Sequence, residues 1–536
     1  MLYRRKTPPA RMYAPEVARQ LAELSREINR QLGILVNRRG ETVSVIVGDN
    51  RQIMIPSLER FRASSVRFKG LRLIHTHLNG ENLTDDDLTD LALLRLDLIC
   101  AIKVQENGLP GPVHLAHLIP ENTEGNFWIT LEPATPSEIE QNFLSFIGSL
   151  EEELARKQKA RRVDSSERAF LIRVETDPLS DSQAALDELK ELARSCEVEV
   201  FDQVIQHRSQ VDPKFMLGKG KLSDVVIRAL QIGANLLIFD HELSPAQVRS
   251  IGDFTEMRVI DRTQLILDIF ARRALTREGK IQVELAQLKY LLPKLVTKNT
   301  AMSRLTGGIG GTGPGETKLE INRRRVRDRI NRLEKEIEGI SRARNQYRIR
   351  RGKQGLPVIS IVGYTNAGKS TLLNSLTSSS VFTENKLFAT LDPKSSRLRF
   401  PRDTEAVITD TVGFIRDLPK ELMAAFRATL DELKDADVFL HVIDVSNPRF
   451  EEQIASVDRI LVELELAYKP TIRVFNKTDI FPDQNILLTL SRRFEAIAIS
   501  ALQPETLVVL MTALESFLLE KRDYAGTSSP QPDPVT

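Results

Sequence analysis

The sequence predicts a multidomain α/β protein whose last large domain has a mostly parallel sheet with helices on both faces. Strand-like and helix-like segments alternate over residues 168–262 and again over residues 356–520, which is the pattern of parallel α/β folds. In the second region, a glycine-rich loop with phosphate-binding spacing follows an apolar strand and precedes a helix. With 536 residues, the chain is long enough for about three or four domains.

The bulk composition is ordinary, with 41% hydrophobic residues, 28% charged residues and a mean hydropathy of −0.22. The net charge of +2 excludes a global field that draws the chain onto nucleic acid, so such a partner requires a local basic patch. Cys100 and Cys196 are too few for a disulfide framework and are expected to be reduced core thiols. Without a secretory signal or an apolar run of about 18 residues, we expect a cytoplasmic monomer with no membrane span.

Changes in periodicity and composition divide the chain into five predicted segments. They are an N-terminal α/β extension (1–165), a small α/β domain (166–262), a helical hairpin with a glycine-rich tip (263–352), the phosphate-binding-loop domain (356–520) and a disordered polar tail (521–536).

The N-terminal segment contains a group of residues of the metal-ligating type. His75 and His77 end a predicted strand over 71–77, and Thr84 and Asp87 open a predicted helix. The order resembles the ligand pattern of JAMM/MPN metalloproteases. It departs from it, because the spacer is one residue shorter, Leu78 replaces proline and Thr84 replaces serine. A zinc site, a JAMM-like fold without metal and two satisfied core histidines all remain open, and an acidic partner such as Glu41 stays unassigned.

The segment 263–352 predicts two long helices that form an antiparallel hairpin. The first helix is expected over 263–299, with the leucines of one stripe at Leu285, Leu288, Leu292 and Leu295. The glycine-rich run 307–315 ends it, and a second helix follows. Its apolar residues recur in three- and four-residue steps at Leu319, Val326, Ile330, Leu333, Ile337 and Ile340, which predicts a coiled-coil-like seam.

The strongest motif is Gly363-x-x-x-x-Gly368-Lys369-Ser370, which lies between a strand and a helix. In this context, backbone N–H groups and the helix N-terminus surround phosphates, Lys369 reaches the β and γ oxygens, and Ser370 ligates Mg²⁺. Asn366 at the loop tip has two interpretations. It ligates a monovalent cation, as in potassium-activated GTPases, or it stabilises the loop turn.

The base of the nucleotide is predicted to be guanine. Residues 476–479 read Asn-Lys-Thr-Asp and follow a strand about a hundred residues after the loop. The Asp479 carboxylate is suited to accept hydrogen bonds from guanine N1 and N2, which adenine does not offer. Residues 500–502, Ser-Ala-Leu, follow the last strand and are expected to back the ring.

Two further segments complete a GTPase switch pattern. Thr390 is the candidate that completes the magnesium shell and senses the γ-phosphate, and Asp410 is expected to hold Mg²⁺ through water. The Gly413 N–H is expected to meet the γ-phosphate. Phe414 follows where Ras-type GTPases have the glutamine that orients water. The alternatives are no hydrolysis, another internal group, or stabilisation supplied by a partner.

The motifs together resemble the HflX family of translation-associated GTPases. The segments that carry the resemblance are GYTNAGKST (363–371), FATLDP (388–393), DTVGFIRDLP (410–419), NKTD (476–479) and, upstream, GGIGGTGPGETKLE (307–320) and DPKFMLGKGKLSDV (212–225). The resemblance covers about residues 168–520. It implies a slow, ribosome-stimulated GTPase that binds the large ribosomal subunit and splits or rescues stalled ribosomes. The alternatives are a guanine-nucleotide-regulated RNA- or protein-binding module with incidental hydrolysis, and a GTPase fused to a zinc metallohydrolase.

The predicted sites comprise three sets of residues. The catalytic set is Lys369, Thr390, Gly413 and Asn366, and the magnesium set is Ser370, Thr390 and Asp410. The GTP set is Gly363, Tyr364, Thr365, Asn366, Ala367, Gly368, Lys369, Ser370, Thr371, Phe388, Ala389, Thr390, Leu391, Asp392, Asp410, Thr411, Val412, Gly413, Asn476, Lys477, Thr478, Asp479, Ser500, Ala501 and Leu502. Potassium is a further candidate cofactor.

A basic segment is the candidate contact with ribosomal RNA. Residues 317–353 contain 14 Lys or Arg against 5 Asp or Glu, an excess that can engage phosphates. A solvated helical face is the competing interpretation. The proposed RNA contacts are Gly307, Gly308, Gly310, Gly311, Gly313, Gly315, Arg323, Arg324 and Arg325. The run 218–221, Gly-Lys-Gly-Lys, is interpreted either as an anion site or as a basic helix cap.

Overall fold

The structure is a computed structural model. It describes Leu2 and residues 6–56, 58, 67–119, 127–135, 142–161, 167–177, 181–255, 257–295, 318–352, 356–377, 394–402, 404–411, 413–416, 423 and 431–527. The chain forms two compact units. The first comprises Met1–Ser180, Glu199–Ile238 and Ser250–Val259, and the second comprises Asp181–Val198, Phe239–Arg249 and Ile260–Thr536. The predicted domain 166–262 contributes residues to both units.

The N-terminal part of the first unit is a six-stranded mixed sheet with helices on both faces. Its strands are β1 (Leu32–Asn37), β2 (Thr42–Val47), β3 (Leu71–His77), β4 (Leu98–Val104), β5 (Pro110–Leu118) and β6 (Trp128–Thr130), and its helices are α1 (Pro15–Ile28), α2 (Asp85–Leu93) and α3 (Phe143–Arg161). The strand order is β2-β1-β3-β4-β5-β6, and only the β3–β4 pair is parallel. Helices α1 and α3 share a core with one face, and α2 packs on the other. The predicted strand over 71–77 is confirmed.

The next sheet has four strands and the predicted alternation with helices. The strands are β7 (Arg168–Glu175), β8 (Glu199–His207), β9 (Leu236–Phe239) and β10 (Arg258–Asp261), and the helices are α4 (Ser182–Ser195), α5 (Lys219–Ile232) and α6 (Pro245–Phe254). The strand order is β10-β9-β7-β8, with β7 and β8 parallel. Helix α5 ends where Gly233 adopts a left-handed conformation, with φ of 79°.

Three helices follow: α7 (Arg262–Arg273), α8 (Arg277–Lys294) and α9 (Lys318–Gly352). The expectation of a single helix over 263–299 is wrong, because the Thr276 side chain accepts a hydrogen bond from the Gly279 N–H (3.0 Å) and caps a new helix. The predicted seam between α8 and α9 is confirmed and contains Ile281, Leu285, Ile330 and Leu333. The ion pairs Arg277–Glu336 and Glu284–Arg329 show that the two helices run antiparallel. The glycine-rich tip lies outside the described residues.

The last sheet carries the phosphate-binding loop. Its strands are β11 (Val358–Gly363), β12 (Lys394–Arg399), β13 (Glu405–Asp410), β14 (Val438–Asp444), β15 (Thr471–Asn476) and β16 (Ala496–Ala498), and its helices are α10 (Lys369–Thr377), α11 (Phe450–Glu463), α12 (Gln484–Arg493) and α13 (Pro504–Thr527). The order is β12-β13-β11-β14-β15-β16, and all pairs except β12–β13 are parallel. Helices α10 and α13 cover one face, and α11 and α12 cover the other. The predicted multidomain α/β fold with a phosphate-binding-loop domain is confirmed.

Helix α13 extends seven residues into the segment 521–536 that was expected to be a disordered tail. Residues 521–527 still permit helix, and the Ser/Pro-rich run begins only at 528, outside the described residues. Of the helices that the structure describes, none is both long and apolar enough to cross a membrane. Cys100 and Cys196 are buried free thiols.

Candidate functional site

The loop between β11 and α10 is constrained by close backbone packing. Gly368 has φ of +91°, and a Cβ there would lie 2.3 Å from the Asn476 Nδ2. Glycine is therefore required, both for the left-handed conformation and for the close approach. Asn366, two residues earlier, has φ of 63° and is exposed at the loop tip. The loop follows the last residue of β11 and therefore lies at the carboxyl end of the parallel strands, where α/β sheets bind ligands.

Lys369 supplies a buried positive charge under this loop. Its side chain is only 7% exposed, and its Nζ donates a hydrogen bond to the Tyr364 carbonyl (2.7 Å). Burial lowers the pKa of Lys369 to about 8, although Asp410 opposes the shift. Burial destabilises the charged form of this ammonium group, so an anion bound beside it would stabilise the group strongly. The nearby Thr365 Oγ1 is also buried and has no hydrogen-bond partner within the described part of the chain.

Ser370 and Asp410 bring two hard oxygen ligands together beside the loop. Asp410 is fully buried at the end of β13, and it pairs in register with Ile361 of β11. The Ser370 Oγ donates a hydrogen bond to the Asp410 Oδ2 (2.7 Å). Oxygen ligands of this kind suit Mg²⁺, so this donor set fits the predicted ion.

The segment after β13 is bound to the phosphate loop by backbone hydrogen bonds. The Thr365 N–H donates to the Phe414 carbonyl (2.7 Å), and the Phe414 N–H donates to the Gly363 carbonyl (3.1 Å). A Cβ on Gly413 would lie 2.8 Å from the Thr365 Cγ2 and 2.9 Å from the Lys369 Nζ, so any side chain there would displace one of these two groups. The Phe414 side chain is 1% exposed and therefore belongs to the core.

Asn476 joins the base-recognition segments to the phosphate loop. Its Nδ2 donates to the Ala367 carbonyl (2.8 Å), and its Oδ1 accepts from the Ala501 N–H (2.9 Å). Asp479 lies in an exposed 3₁₀ turn (Thr478–Ile480), so its carboxylate is accessible to a ligand. Ser500 is fully buried, whereas Leu502 is 74% exposed. The structure thus brings the predicted phosphate and base segments together through one amide side chain.

Known proteins match the same part of the chain. Three family models match, described as "GTP-binding GTPase N-terminal" over residues 183–271, "GTP-binding GTPase Middle Region" over 273–351 and "50S ribosome-binding GTPase" over 358–477. A protein named GTPase HflX from Lacrimispora saccharolytica is 46% identical over 67% of this chain and 84% of its own length. The chain belongs to the HflX family of GTPases.

A second relative agrees with this assignment. GTPase HflX of Escherichia coli is 45% identical over 60% of this chain and 75% of its own length. A GTP-binding protein from Sulfolobus solfataricus, solved in complex with GDP, is 27% identical over 65% of this chain and 99% of its own, with a TM-score of 0.37. The predicted family membership and the assignment as a GTP-hydrolysing enzyme are confirmed.

A buried network in this HflX-family chain was not predicted from the sequence. The Tyr364 hydroxyl donates to the Glu188 Oε1 (2.5 Å) and accepts from the Arg416 N–H (2.8 Å). The Arg262 guanidinium pairs with Glu188 (3.1 Å) and Asp240 (3.1 Å) and also donates to the Arg416 carbonyl (3.2 Å). Burial and the neighbouring Glu188 raise the pKa of Tyr364, so its hydroxyl stays protonated. The network links α4 and α7 to both the phosphate loop and the segment after β13.

Sequence reasoning also missed Asp444, whose Oδ2 accepts a hydrogen bond from the Lys477 Nζ (2.6 Å). No local signal marks these partners, since Glu188 and Tyr364 are 176 residues apart. Their roles depend on strands and helices that meet only in the folded chain.

Several predicted residues lie outside the described part of the chain. They are Gly307, Gly308, Gly310, Gly311, Gly313, Gly315, Phe388, Ala389, Thr390, Leu391, Asp392 and Val412. Arg323 is half-buried near the beginning of α9, and Arg324 and Arg325 are exposed there. The run 218–221 begins helix α5, with exposed lysines in its first turn.

Proposed function

We propose that this chain is a magnesium-dependent GTPase that binds the large ribosomal subunit and splits stalled ribosomes when it carries GTP. The observation that carries the nucleotide assignment is the buried Lys369, joined through the loop and Asn476 to the exposed Asp479. Support for the ribosomal partner comes from the match of residues 358–477 to a family described as "50S ribosome-binding GTPase".

Ser370 and Asp410 are the described residues that would hold Mg²⁺, and Thr390 is proposed as a further ligand. When bound, the ion would neutralise charge on the phosphate oxygens. Lys369 would hold the β and γ oxygens with its ammonium group, which burial has already separated from water. The Gly413 N–H would contact the γ-phosphate, because Gly413 lies close to the Lys369 ammonium group that would hold the same oxygens.

The position of Phe414 predicts slow hydrolysis by the protein alone. A side chain that is 1% exposed and apolar cannot orient an attacking water. The remaining polar groups position the phosphates, and the missing stabilisation would come from the bound ribosome. A group supplied in trans can contribute about 10³–10⁵ in rate.

Helix α9 is the proposed contact with ribosomal RNA. Arg324 and Arg325 are exposed near its beginning, in a region with 14 basic and 5 acidic residues over 317–353. These exposed arginines follow the glycine-rich segment 307–315 in the sequence, and they suit contacts with the phosphates of an RNA backbone. Salt therefore should weaken ribosome binding steeply.

The decisive experiment measures GTP turnover and ribosome splitting by the full-length protein. We expect turnover to rise at least tenfold with large ribosomal subunits, and splitting to occur with GTP and with a non-hydrolysable analogue. Arg324→Glu combined with Arg325→Glu should reduce both effects. Lys190→Glu serves as the control, because Lys190 is an exposed side chain on α4. Subunit affinity that is the same with GDP and GTP, together with no splitting, would instead indicate a binding module with incidental hydrolysis.

We also propose that Asn366 ligates a monovalent cation beside the phosphates. Its left-handed conformation and exposure place the amide at the loop tip. Hydrolysis should be faster in potassium than in sodium, and Asn366→Ala should abolish the difference. Equal rates in the two salts would leave Asn366 with only the role of stabilising the turn.

A further inference from the structure

A second group of converging side chains lies in the first unit. Leu71, Leu73, His75 and His77 occupy alternate positions of β3 and therefore share one face, against which α2 packs. The two leucines join the apolar core, and the two histidines lie at the carboxyl end of the strand. Asp87, in the first turn of α2, meets both rings there.

The three side chains bring potential metal-ligand atoms within 4.8 Å of one another, and each oxygen of the Asp87 carboxylate faces one histidine ring. The distances are 2.9 Å between the Nε2 atoms of His75 and His77, 3.1 Å from the His75 Nε2 to the Asp87 Oδ1, and 3.4 Å from the His77 Nε2 to the Asp87 Oδ2. Ligands about 2.0–2.1 Å from a tetrahedral zinc ion are separated from one another by about 3.4 Å. The two imidazole nitrogens and the nearer carboxylate oxygen of each ring are already spaced close to this value, so a small shift of the side chains is enough to enclose such an ion.

A hydrogen bond on the outer nitrogen of His77 orients that ring for a cation, whereas the buried His75 Nδ1 has no hydrogen-bond partner among the described residues. The His77 Nδ1 lies 3.2 Å from the Glu81 carbonyl oxygen, which can only accept, so the proton of a neutral ring sits on Nδ1. The Nε2 lone pair then faces both His75 and the Asp87 carboxylate. A single N–H on the His75 Nε2 cannot satisfy both the His77 Nε2 and the Asp87 carboxylate, whereas a bound cation can. A backbone carbonyl on the outer nitrogen is the usual support of a metal-ligating histidine.

Asp87 is held in place by a helix cap. The Thr84 Oγ1 donates to the Asp87 Oδ2 (2.7 Å), and the Thr84 N–H donates to the same oxygen (2.8 Å). These bonds fix the carboxylate and leave its other oxygen, Oδ1, directed at His75. Ligating carboxylates are commonly hydrogen-bonded in this way.

We propose that His75, His77 and Asp87 bind one zinc ion, with a fourth position open to water. Two imidazoles and one carboxylate favour zinc over magnesium or calcium, which prefer oxygen ligands. His75 and His77 are buried and Asp87 is 9% exposed, so the centre is mostly buried, with Asp87 at its accessible edge. Glu41 does not supply a further ligand, because the β1–β3 register places it near Leu71, at the opposite end of β3 from His75.

The test uses the full-length protein without an affinity tag. We expect the purified protein to contain about one zinc ion per chain. After removal of the metal with a chelator, the protein should bind one equivalent of Co²⁺ and show the visible absorption bands of a four-coordinate site. His77→Gln and Asp87→Asn should lower zinc affinity at least about 100-fold, more than loss of a supporting partner usually does. His117→Gln is the matched control, since His117 is buried in the same sheet and packs against Phe146.

Circular dichroism and thermal unfolding separate loss of ligand from loss of fold in these variants. Two results would overturn the proposal. One is wild-type protein that binds neither zinc nor Co²⁺ at micromolar concentrations, which would indicate a protonated His77 paired with Asp87. The other is equal zinc affinity in wild type and in a folded His77→Gln variant.

Discussion

Two strand–loop–helix segments of this chain have the same layout and opposite charge preference. In the segment from β11 to α10, the helix begins with Lys369, whose buried ammonium group faces the loop. In the segment from β3 to α2, the helix begins with three aspartates, and the Thr84 side chain accepts a hydrogen bond from the Asp87 N–H. Each helix begins beside the carboxyl end of the preceding strand.

The difference lies in which groups satisfy the helix N-terminus. A helix N-terminus beside a lysine attracts an anion, because the N–H groups and the ammonium charge act together. At α2 the Thr84 cap occupies the Asp87 N–H, and the carboxylate and imidazole atoms grouped there attract a cation. Residue type in the first helical turn, rather than the fold, therefore decides the charge of the ligand.

The largest expected effect comes from removing the charge at the anion-binding helix. Lys369→Ala should lower the rate of ribosome-stimulated GTP hydrolysis by about 10²–10³-fold, because phosphate oxygens lose their buried cation. Single-turnover hydrolysis measures this. Lys190→Ala, on the exposed surface of α4, should leave the rate unchanged. A Lys369→Ala rate within threefold of wild type would contradict the proposed contact.

Base recognition should respond next. Asp479→Asn should weaken GTP binding about 10–100-fold and shift preference toward xanthosine nucleotides, because an amide no longer accepts both guanine hydrogen bonds. Binding of fluorescent GDP and XDP analogues provides the measurement. Asp483→Asn is a close control, since Asp483 caps α12 and asparagine caps equally well. Unchanged base preference would remove Asp479 from the recognition site.

A smaller effect is expected from the network that holds the phosphate loop. Tyr364→Phe removes the hydroxyl between Glu188 and the Arg416 N–H, which should lower the free energy of unfolding by about 1–3 kcal/mol. Denaturant titration measures the change. Tyr468→Phe, at a side chain that is 76% exposed, should change it by less than about 0.5 kcal/mol. Equal stability of the two variants would mean that the network is replaced by water at no cost.

The helix cap of α2 should give the smallest effect and sharpens the contrast most directly. Thr84→Ala should cost about 0.5–2 kcal/mol of stability in the first unit, because the Asp87 N–H loses its acceptor. It should also weaken zinc binding, whereas Thr84→Ser should preserve both properties. Thermal unfolding with and without zinc distinguishes these outcomes. A Thr84→Ala variant with wild-type zinc affinity would show that the cap does not position Asp87.

Local patterns were sufficient for the elements that act within short stretches of chain. The loop 363–370, strand β3 and the seam between α8 and α9 are all determined by residue spacing over a few turns or strand positions. The same reasoning failed over 263–299, because the apolar stripe begins only at Leu285 and gives no information on the break, where the cap at Thr276 starts a new helix. A helix cap depends on a single residue, and an apolar periodicity over several turns does not reveal it.

The sequence by itself determined the phosphate loop, the guanine preference and the membership of the HflX family, since these depend on residue types at close, ordered spacings. Only the tertiary structure placed Asn476 between Ala367 and Ala501, and Tyr364 beside Glu188. It also showed that Phe414 is a core residue and that His75, His77 and Asp87 meet at one point. The physical reason is that these contacts depend on strand register and on which helix face is buried, which spacing along the chain does not specify.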